Sequence, residues 1–239
     1  MKNKKITIIA ANDYYFGIPT INRLCQNYTP NIQSVILIEG FFSLKRIVYS
    51  FFMFNPFFII KKIIQSKKSK KDLFEIIKKR KINFFYTKNI NSLETINFLK
   101  NQKSSMLVIL SCPQILSKKI LKIKKKNFNY HCSNLPKNRG LFPIFNTFLD
   151  FKGTKLFCSL HYLTEKIDDG KIVISKVLKK KNFDLGKMYD EAFNQFEFIF
   201  KNLVNGKVNE KNNNNKFQTY NSYPKLKDFI KYYKIILFS

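Results

Sequence analysis

Only two histidines occur in the chain, and one of them, His131, stands in the stretch Asn129 to Gly140, NYHCSNLPKNRG. Side chains two apart on a strand share a face, so a strand over Phe128 to His131 projects Asn129 and His131 into one space and turns Tyr130 away. An amide and an imidazole aimed together can stabilise a developing negative charge and move a proton. Ser133, Asn134, Pro136 and Gly140 then break the regular pattern, as happens where a strand end opens to a substrate. Arg139 stands inside that loop. Taken singly, a histidine in a strand is more often a satisfied core or surface residue. Likewise Asp168-Asp169-Gly170 reads as an ordinary turn, because Asp and Gly suit turns. The neighbours of His131 are what favour chemistry.

The elements that must deliver this pair alternate in type. Lys5 to Ala10 is a continuous apolar run of the kind expected for a central parallel strand. Asn12 to Gly17 makes a crossing loop, Ile18 to Gln26 has helical spacing, and Ser34 to Glu39 is a second strand. Phe41 to Ile64 is expected as one or two apolar helices, and Lys67 to Lys79 as a basic helix burying Leu73, Ile76 and Ile77. Ile82 to Tyr86 and Ser105 to Leu110 read as strands, Ser92 to Lys100 and Gln114 to Ile123 as helices. The alternation implies an α/β fold of three layers, a mostly parallel sheet with helices on both faces, and a site at the carboxyl ends of the strands. Beyond the loop, Leu141 to Leu149 is a short helix. Lys155 to Thr164 and Lys171 to Leu178 are strands joined by the Glu165 to Gly170 turn, and Phe183 to Val204 is a long helix. Asn205 to Lys216, rich in asparagine, reads as a flexible linker, and Phe217 to Ser239 as a tail closing on an amphipathic helix. The expected division is one domain over 1–205, then linker and tail over 206–239.

The balance of 44 basic against 15 acidic residues, a net charge of +29, would suit a polyanionic partner. The basic residues are nearly all lysine, however, with arginine only at Arg23, Arg46, Arg80 and Arg139, whereas readers of phosphate and bases favour the forked guanidinium. Lysine, asparagine, isoleucine and phenylalanine are abundant throughout, a chain-wide bias that weakens charge as evidence for nucleic acid. Cys25, Cys112, Cys132 and Cys158 form no C-x-x-C pair, so neither a zinc site nor a disulfide framework is indicated, and reduced thiols in a cytoplasm fit. The basic and apolar start reads as a first buried strand, not a signal peptide. Ile47 to Ile60 is the most apolar run, but Asn55 and Pro56 interrupt it and it falls short of the roughly 20 residues of a membrane span. It is expected as a helix pair packed on the core; the flanks Lys45-Arg46 and Lys61-Lys62 leave an interfacial anchor as the alternative. AANDYYFG lacks the G-x-G-x-x-G spacing of a dinucleotide site.

The stretch resembles the active-site segment Asn-x-His-x-Ser-Leu-Leu-Pro-x-x-Arg-Gly of formyltransferases that use 10-formyltetrahydrofolate, in the methionyl-tRNA and amino-sugar branches. Asn129, His131, Ser133, Leu135, Pro136, Arg139 and Gly140 match; Asn134 replaces the first leucine. The family's later stretch His-x-x-x-x-x-x-Asp-x-Gly is met by His161, Asp168 and Gly170. The resemblance runs over about residues 5 to 205 and is tightest at 129 to 149 and 158 to 174. It implies a formyltransferase fold and transfer of a formyl group to a primary amine, with Asn129, His131 and Asp168 catalytic. It implies no metal, and a folate donor against Leu110, Ser111, Cys112, Gln114 and Ile115 and the turn residues Thr164 and Ile167. Ser133 and Arg139 would lie near the acceptor or in the loop framework.

In such a reaction Asp168 is expected to hold His131 and favour its charged form. The favoured acceptor is a small amine, an amino-sugar nucleotide, because the tail is short where the tRNA enzymes carry a further domain; charged tRNA and glycinamide ribonucleotide are the other candidates. Hydrolysis of the formyl-folate is a competing reaction, and a lysine-rich nucleic-acid or membrane-surface protein is the non-enzymatic alternative. No membrane span and a homodimer complete the expectations.

Overall fold

The computed structural model describes residues 4–13, 16–39, 44–179, 184–213 and 215–238. Tyr14 and Tyr15 of the expected crossing loop, Phe41 at the expected start of the apolar helices and Phe183 at that of the long helix lie outside them. The chain divides into two compact units, Met1–Phe51 with Asn55–Asn129, and Phe52–Phe54 with Tyr130–Ser239.

The first unit runs β1 (Ile6–Ala11), α1 (Gly17–Asn27), β2 (Ile32–Ile38), α2 (Leu44–Met53), α3 (Pro56–Lys79), β3 (Asn83–Thr87), α4 (Leu93–Asn101), β4 (Met106–Ser111), α5 (Lys118–Leu121) and β5 (Lys126–His131), with α2 and β5 crossing the boundary. β1 is parallel to both β2 and β4, Ile8 lying opposite Val35 and Val108. All six of its residues are buried, which is why it reads as an unbroken apolar run rather than an alternating one. β3 is parallel to β2, and β5 enters parallel to β4 with Asn129 opposite Ile109. Over the whole chain the strand order is β3-β2-β1-β4-β5, then β7 (Lys155–Tyr162) and β8 (Ile172–Lys179). The β1–β2, β1–β4, β2–β3 and β4–β5 pairs are parallel and β7–β8 is antiparallel, so the mostly parallel α/β sheet expected from the alternation is what forms.

Three helical expectations change. The basic helix of Lys67 to Lys79 is not separate: α3 starts where the Asn55 side chain accepts from Phe57 N, with Pro56 in its first turn. It then runs without a break to Lys79, because no Gly or Pro stands between Ile64 and Lys67 to end it. The apolar run packs on the core by one face only. Ile59, Leu73 and Ile77 are buried, whereas Phe57, Ile60 and Ile64 are 82%, 54% and 67% exposed. The helix of Gln114 to Ile123 shrinks to the four residues of α5. Side-chain amides hold the segment before it: Gln114 accepts from Ile90 N and donates to Lys88 O, while Asn91 accepts from Ser117 N and donates to Ile115 O. These bonds outcompete a helical turn. Among the described residues no helix is long and apolar enough to cross a membrane.

The second unit holds the end of β5, β6 (Arg139–Gly140), α6 (Pro143–Phe151), β7, β8, α7 (Leu185–Val204), β9 (Tyr220–Asn221) and α8 (Leu226–Phe238). α7 begins where Asp184 accepts from Lys187 N, a side-chain cap. It buries Met188, Ala192, Phe196, Ile199, Phe200 and Leu203 at helical spacing. Tyr130 is drawn under it, its hydroxyl donating to Ala192 O at 2.5 Å and its ring 4.9 Å from Phe196. That fixes the far face of β5 and so the direction in which His131 points. α8 packs Phe229 and Tyr232 on Phe145 and Phe148 of α6.

The asparagine-rich stretch expected as a flexible linker is tied down. Lys211 exchanges backbone bonds with Ile172 on β8, and Asn209 N donates to Val173 O. Asn213 is buried. Composition alone reads such a segment as solvated, but here its polar groups meet backbone that would otherwise be unpaired.

Candidate active site

β5 ends at His131, which is 5% exposed, and β7 and β8 bring in the turn that carries Asp168. The Asp168 carboxylate sits between two imidazoles, with Oδ2 3.5 Å from Nδ1 of His131 and Oδ1 3.4 Å from Nε2 of His161. Gly140 N donates to Oδ2 at 2.8 Å. The other nitrogen of His131, Nε2, donates to Asn138 O at 2.9 Å, and Nδ1 of His161 lies 2.9 Å from Tyr162 O. Both histidines of the chain therefore converge on one carboxylate.

Two glycines make this geometry possible. At Gly140, φ is +89° and an added Cβ would lie 2.5 Å from Asn221 O. At Gly170 an added Cβ would lie 2.0 Å from Tyr162 O. Only a residue without a Cβ allows backbone so close.

Burial, the largest influence, lowers the His131 pKa; Asp168 pulls it up, His161 and Arg139 push it down, and the Asn138 carbonyl raises it. Asp168 favours the charged form of His131, as expected, but desolvation of a buried cation outweighs the carboxylate and the net shift is downward. Burial also opposes ionisation of Asp168. It is outweighed by His131, then by His161 and the Gly140 N–H, which hold the carboxyl well below the usual range. At neutral pH the group beside His131 is a carboxylate.

Asn129 is half-buried on β5, two positions before His131 and on the same side of the strand. Ser133 is wholly buried and donates to Lys137 O; Arg139 is buried with Nη1 2.7 Å from both Asp169 Oδ1 and Gln218 Oε1. Both are engaged with the loop and its neighbours. Of the residues expected at the folate, Leu110 is buried at the end of β4, where Ser111 Oγ accepts from Ala11 N. Cys112 donates to Gln114 O, the Gln114 amide is committed to Lys88 and Ile90, and Ile115 is 70% exposed. In the second unit Thr164 donates to Lys166 O, and Ile167 is exposed beside Asp168. Among the described residues no group of three or more His, Cys, Asp or Glu is placed to hold a metal ion.

Sequence reasoning assigned no role to Asn138, Asn213, Thr219 or Asn221. Asn138, at φ +57°, donates through Nδ2 to Asp150, and through its backbone N to Thr219 Oγ1; its Oδ1 accepts from Asn221. Asn213 Nδ2 donates to Asp168 O and Gly170 O. β9 lies parallel to β6, Tyr220 opposite Arg139. The one signal for Asn138 was its residue type, since Asn tolerates the left-handed region. His161 was visible through its spacing to Asp168, without a role.

A parallel α/β sheet whose strand end sets His131 against the turn carboxylate defines a class. The chain matches the family described as Formyl transferase over residues 61–199 and belongs to it. It is 34% identical over 175 residues to the bifunctional polymyxin resistance protein ArnA of Wigglesworthia glossinidia brevipalpis, covering 68% of this chain and 26% of that protein. To the methionyl-tRNA formyltransferase of Thermotoga maritima it is 26% identical over 123 residues, 51% of this chain and 37% of that protein. The matched part thus spans about a quarter to a third of these curated relatives. The fold is similar to a sugar N-formyltransferase from a Shewanella species, with a TM-score of 0.59 and 14% identity, covering 97% of this chain and 87% of that one.

Proposed function

We propose that the chain transfers a formyl group from 10-formyltetrahydrofolate to a primary amine, with Asn129, His131 and Asp168 as the reacting unit. The observation that carries this reading is the buried contact between His131 Nδ1 and the Asp168 carboxylate, within the two motifs that resemble the family's. The amine nitrogen bonds to the formyl carbon, the carbon's bond to the folate nitrogen breaks, and the proton lost by the amine returns to that nitrogen. Neutral His131 carries one unprotonated nitrogen, and a proton taken up there is stabilised by the carboxylate beside it. Proton transfer of this kind contributes about 100- to 10,000-fold. The Asn129 amide is the donor for the oxyanion of the tetrahedral intermediate, worth about 3 to 4 kcal/mol. By the family resemblance, backbone of Leu110 to Ile115 reads the folate, the Gln114 side chain being committed to Lys88 and Ile90. The contacts of Ser133 and Arg139 favour a framework role for both.

The acceptor favoured is an amino-sugar nucleotide, in keeping with the similarity to a sugar N-formyltransferase over nearly the whole chain. The second reading, charged initiator tRNA, is favoured by the methionyl-tRNA formyltransferase relative and by the net charge of +29. The test offers purified protein and 10-formyltetrahydrofolate with amino-dideoxysugar nucleotides, charged initiator tRNA and glycinamide ribonucleotide in parallel, plus an amine-free control. Formylation of a sugar nucleotide, abolished by His131→Ala, is the result expected. Formate release at full rate without amine would make the chain a hydrolase, and formylation of tRNA alone would overturn the acceptor.

A further inference from the structure

Asp168 and Asn138 are both held in the left-handed region, at φ +49° and +57°, which costs a non-glycine residue on the order of 1 to 3 kcal/mol and persists only where neighbours enforce it. Each is one side of the His131 environment, Asp168 supplying the carboxylate at Nδ1 and Asn138 the carbonyl at Nε2. Each is also held by side chains from one C-terminal segment. The Asn213 amide closes the Asp168 turn by donating to the carbonyls of Asp168 and Gly170. Thr219 Oγ1 accepts from Asn138 N at 2.8 Å, and Asn221 Nδ2 donates to Asn138 Oδ1 at 2.8 Å. Gly140, whose N–H binds the Asp168 carboxylate, is paired with Asn221 through β6 and β9. All three residues lie beyond the 61–199 matched by the family.

We infer that Asn213, Thr219 and Asn221 are positioning residues for the His131–Asp168 pair. Their side-chain bonds go to Asn138 and to the carbonyls of Asp168 and Gly170; they act through the two strained backbone positions that present an acceptor to each ring nitrogen. Losing one lets its left-handed residue relax, and misplacement by about 1 Å at a reacting group can cost 100-fold in rate. The inference rests on the proposed reaction only for its kinetic arm.

The test uses the full chain with Asn213→Ala and Thr219→Val, Thr219→Ser as the conservative rescue, and Asn209→Ala as a control in the same segment whose backbone N, not its side chain, makes the bond to Val173. Thr219 is exposed, so Thr219→Val keeps the test open should Asn213→Ala fail to fold. The chain has two histidines, so an imidazole NMR titration reads the site directly, with signals assigned by His161→Gln. The groups facing His131 are Asp168, His161 and Arg139. Asn213→Ala and Thr219→Val should move the His131 midpoint and lower kcat at least tenfold with KM for the folate little changed. Thr219→Ser and Asn209→Ala should match the parent. Parental midpoints and kcat in both disruptive variants would overturn the inference. Displaced midpoints in a protein that formylates nothing, parent included, would uphold the positioning and overturn the reaction.

Discussion

Replacing Gly170 by alanine should disable the site through backbone alone. The new Cβ would stand 2.0 Å from Tyr162 O and 2.7 Å from Tyr162 C, whereas real Cβ atoms do not come within 3.0 Å of such atoms. The opposing group is peptide on β7, which cannot rotate away as a side-chain end would, so the turn must open by about 1 Å. Asp168 lies two residues before Gly170 and reaches Gly140 N at 2.8 Å and His131 at 3.5 Å. A 1 Å displacement removes the first contact and ends any close pairing in the second. Crowding of this kind costs about 1 to 3 kcal/mol, and at this chain length each kcal/mol lowers Tm by about 2 to 4 °C. The rate loss should be near 100-fold, larger than the modest fall in Tm would suggest. Differential scanning calorimetry and formyl transfer measured on the same preparation separate the two. A Gly170→Ala protein with parental turnover would refute the claim that the turn's closeness to Tyr162 sets Asp168.

Asp168→Asn keeps the shape and an acceptor for Gly140 N–H but removes the charge beside His131; turnover should fall by about 100- to 10,000-fold with unchanged circular dichroism, and a loss under tenfold would remove Asp168 from the chemistry. Stability should decline on acidification in two stages. The folded pKa of His131 is lowered, so the unfolded chain takes up that proton first as pH falls through about 6.5. The folded pKa of Asp168 is also lowered, so its contribution is present above about pH 4 and is lost as pH falls further. Urea midpoints at pH 7, 5 and 3.5 test this, and a midpoint that rises from pH 7 to 5 would contradict the His131 sign. Changing Phe57, Ile60 and Ile64 together to glutamine should alter stability by no more than about 0.5 kcal/mol each, because their face of α3 is open. A loss of several kcal/mol would mean that they pack on something.

The strands were legible because burial on both faces leaves a plain mark, as in Ile6–Ala11, where the polar Thr7 is accommodated by hydrogen bonds between its hydroxyl and those of Ser34 and Ser104. That Asn129 and His131 share a side of β5 was legible from the two-residue period of a strand, and that Asp168 lies beside a histidine from its spacing to His161 and Gly170. What escaped were bonds between side chains and backbone. Gln114 and Asn91 undo a helix that periodicity supports, and Asn213 turns an apparent linker into a brace. A carbonyl acceptor belongs to every residue and leaves no letter in the sequence, so no pattern of types announces where an amide will spend its donors. The exposed phenylalanine and isoleucines of α3 escaped for another reason: apolar content says that a helix has something to bury, not which face does so.

The pairing of β6 with β9 gives the molecule a history as well as a shape. Asn138 waits for Thr219 across 81 positions of chain, and at about 5 to 20 residues per second a ribosome needs several seconds to supply the partner. During that interval nothing from the later strand holds Asn138. The closure is long-range and forms late, since distant contacts bear their loop entropy before they repay it. The nascent protein can therefore own its sheet before it owns a formed site, and the site closes only once the segment around Thr219 has followed.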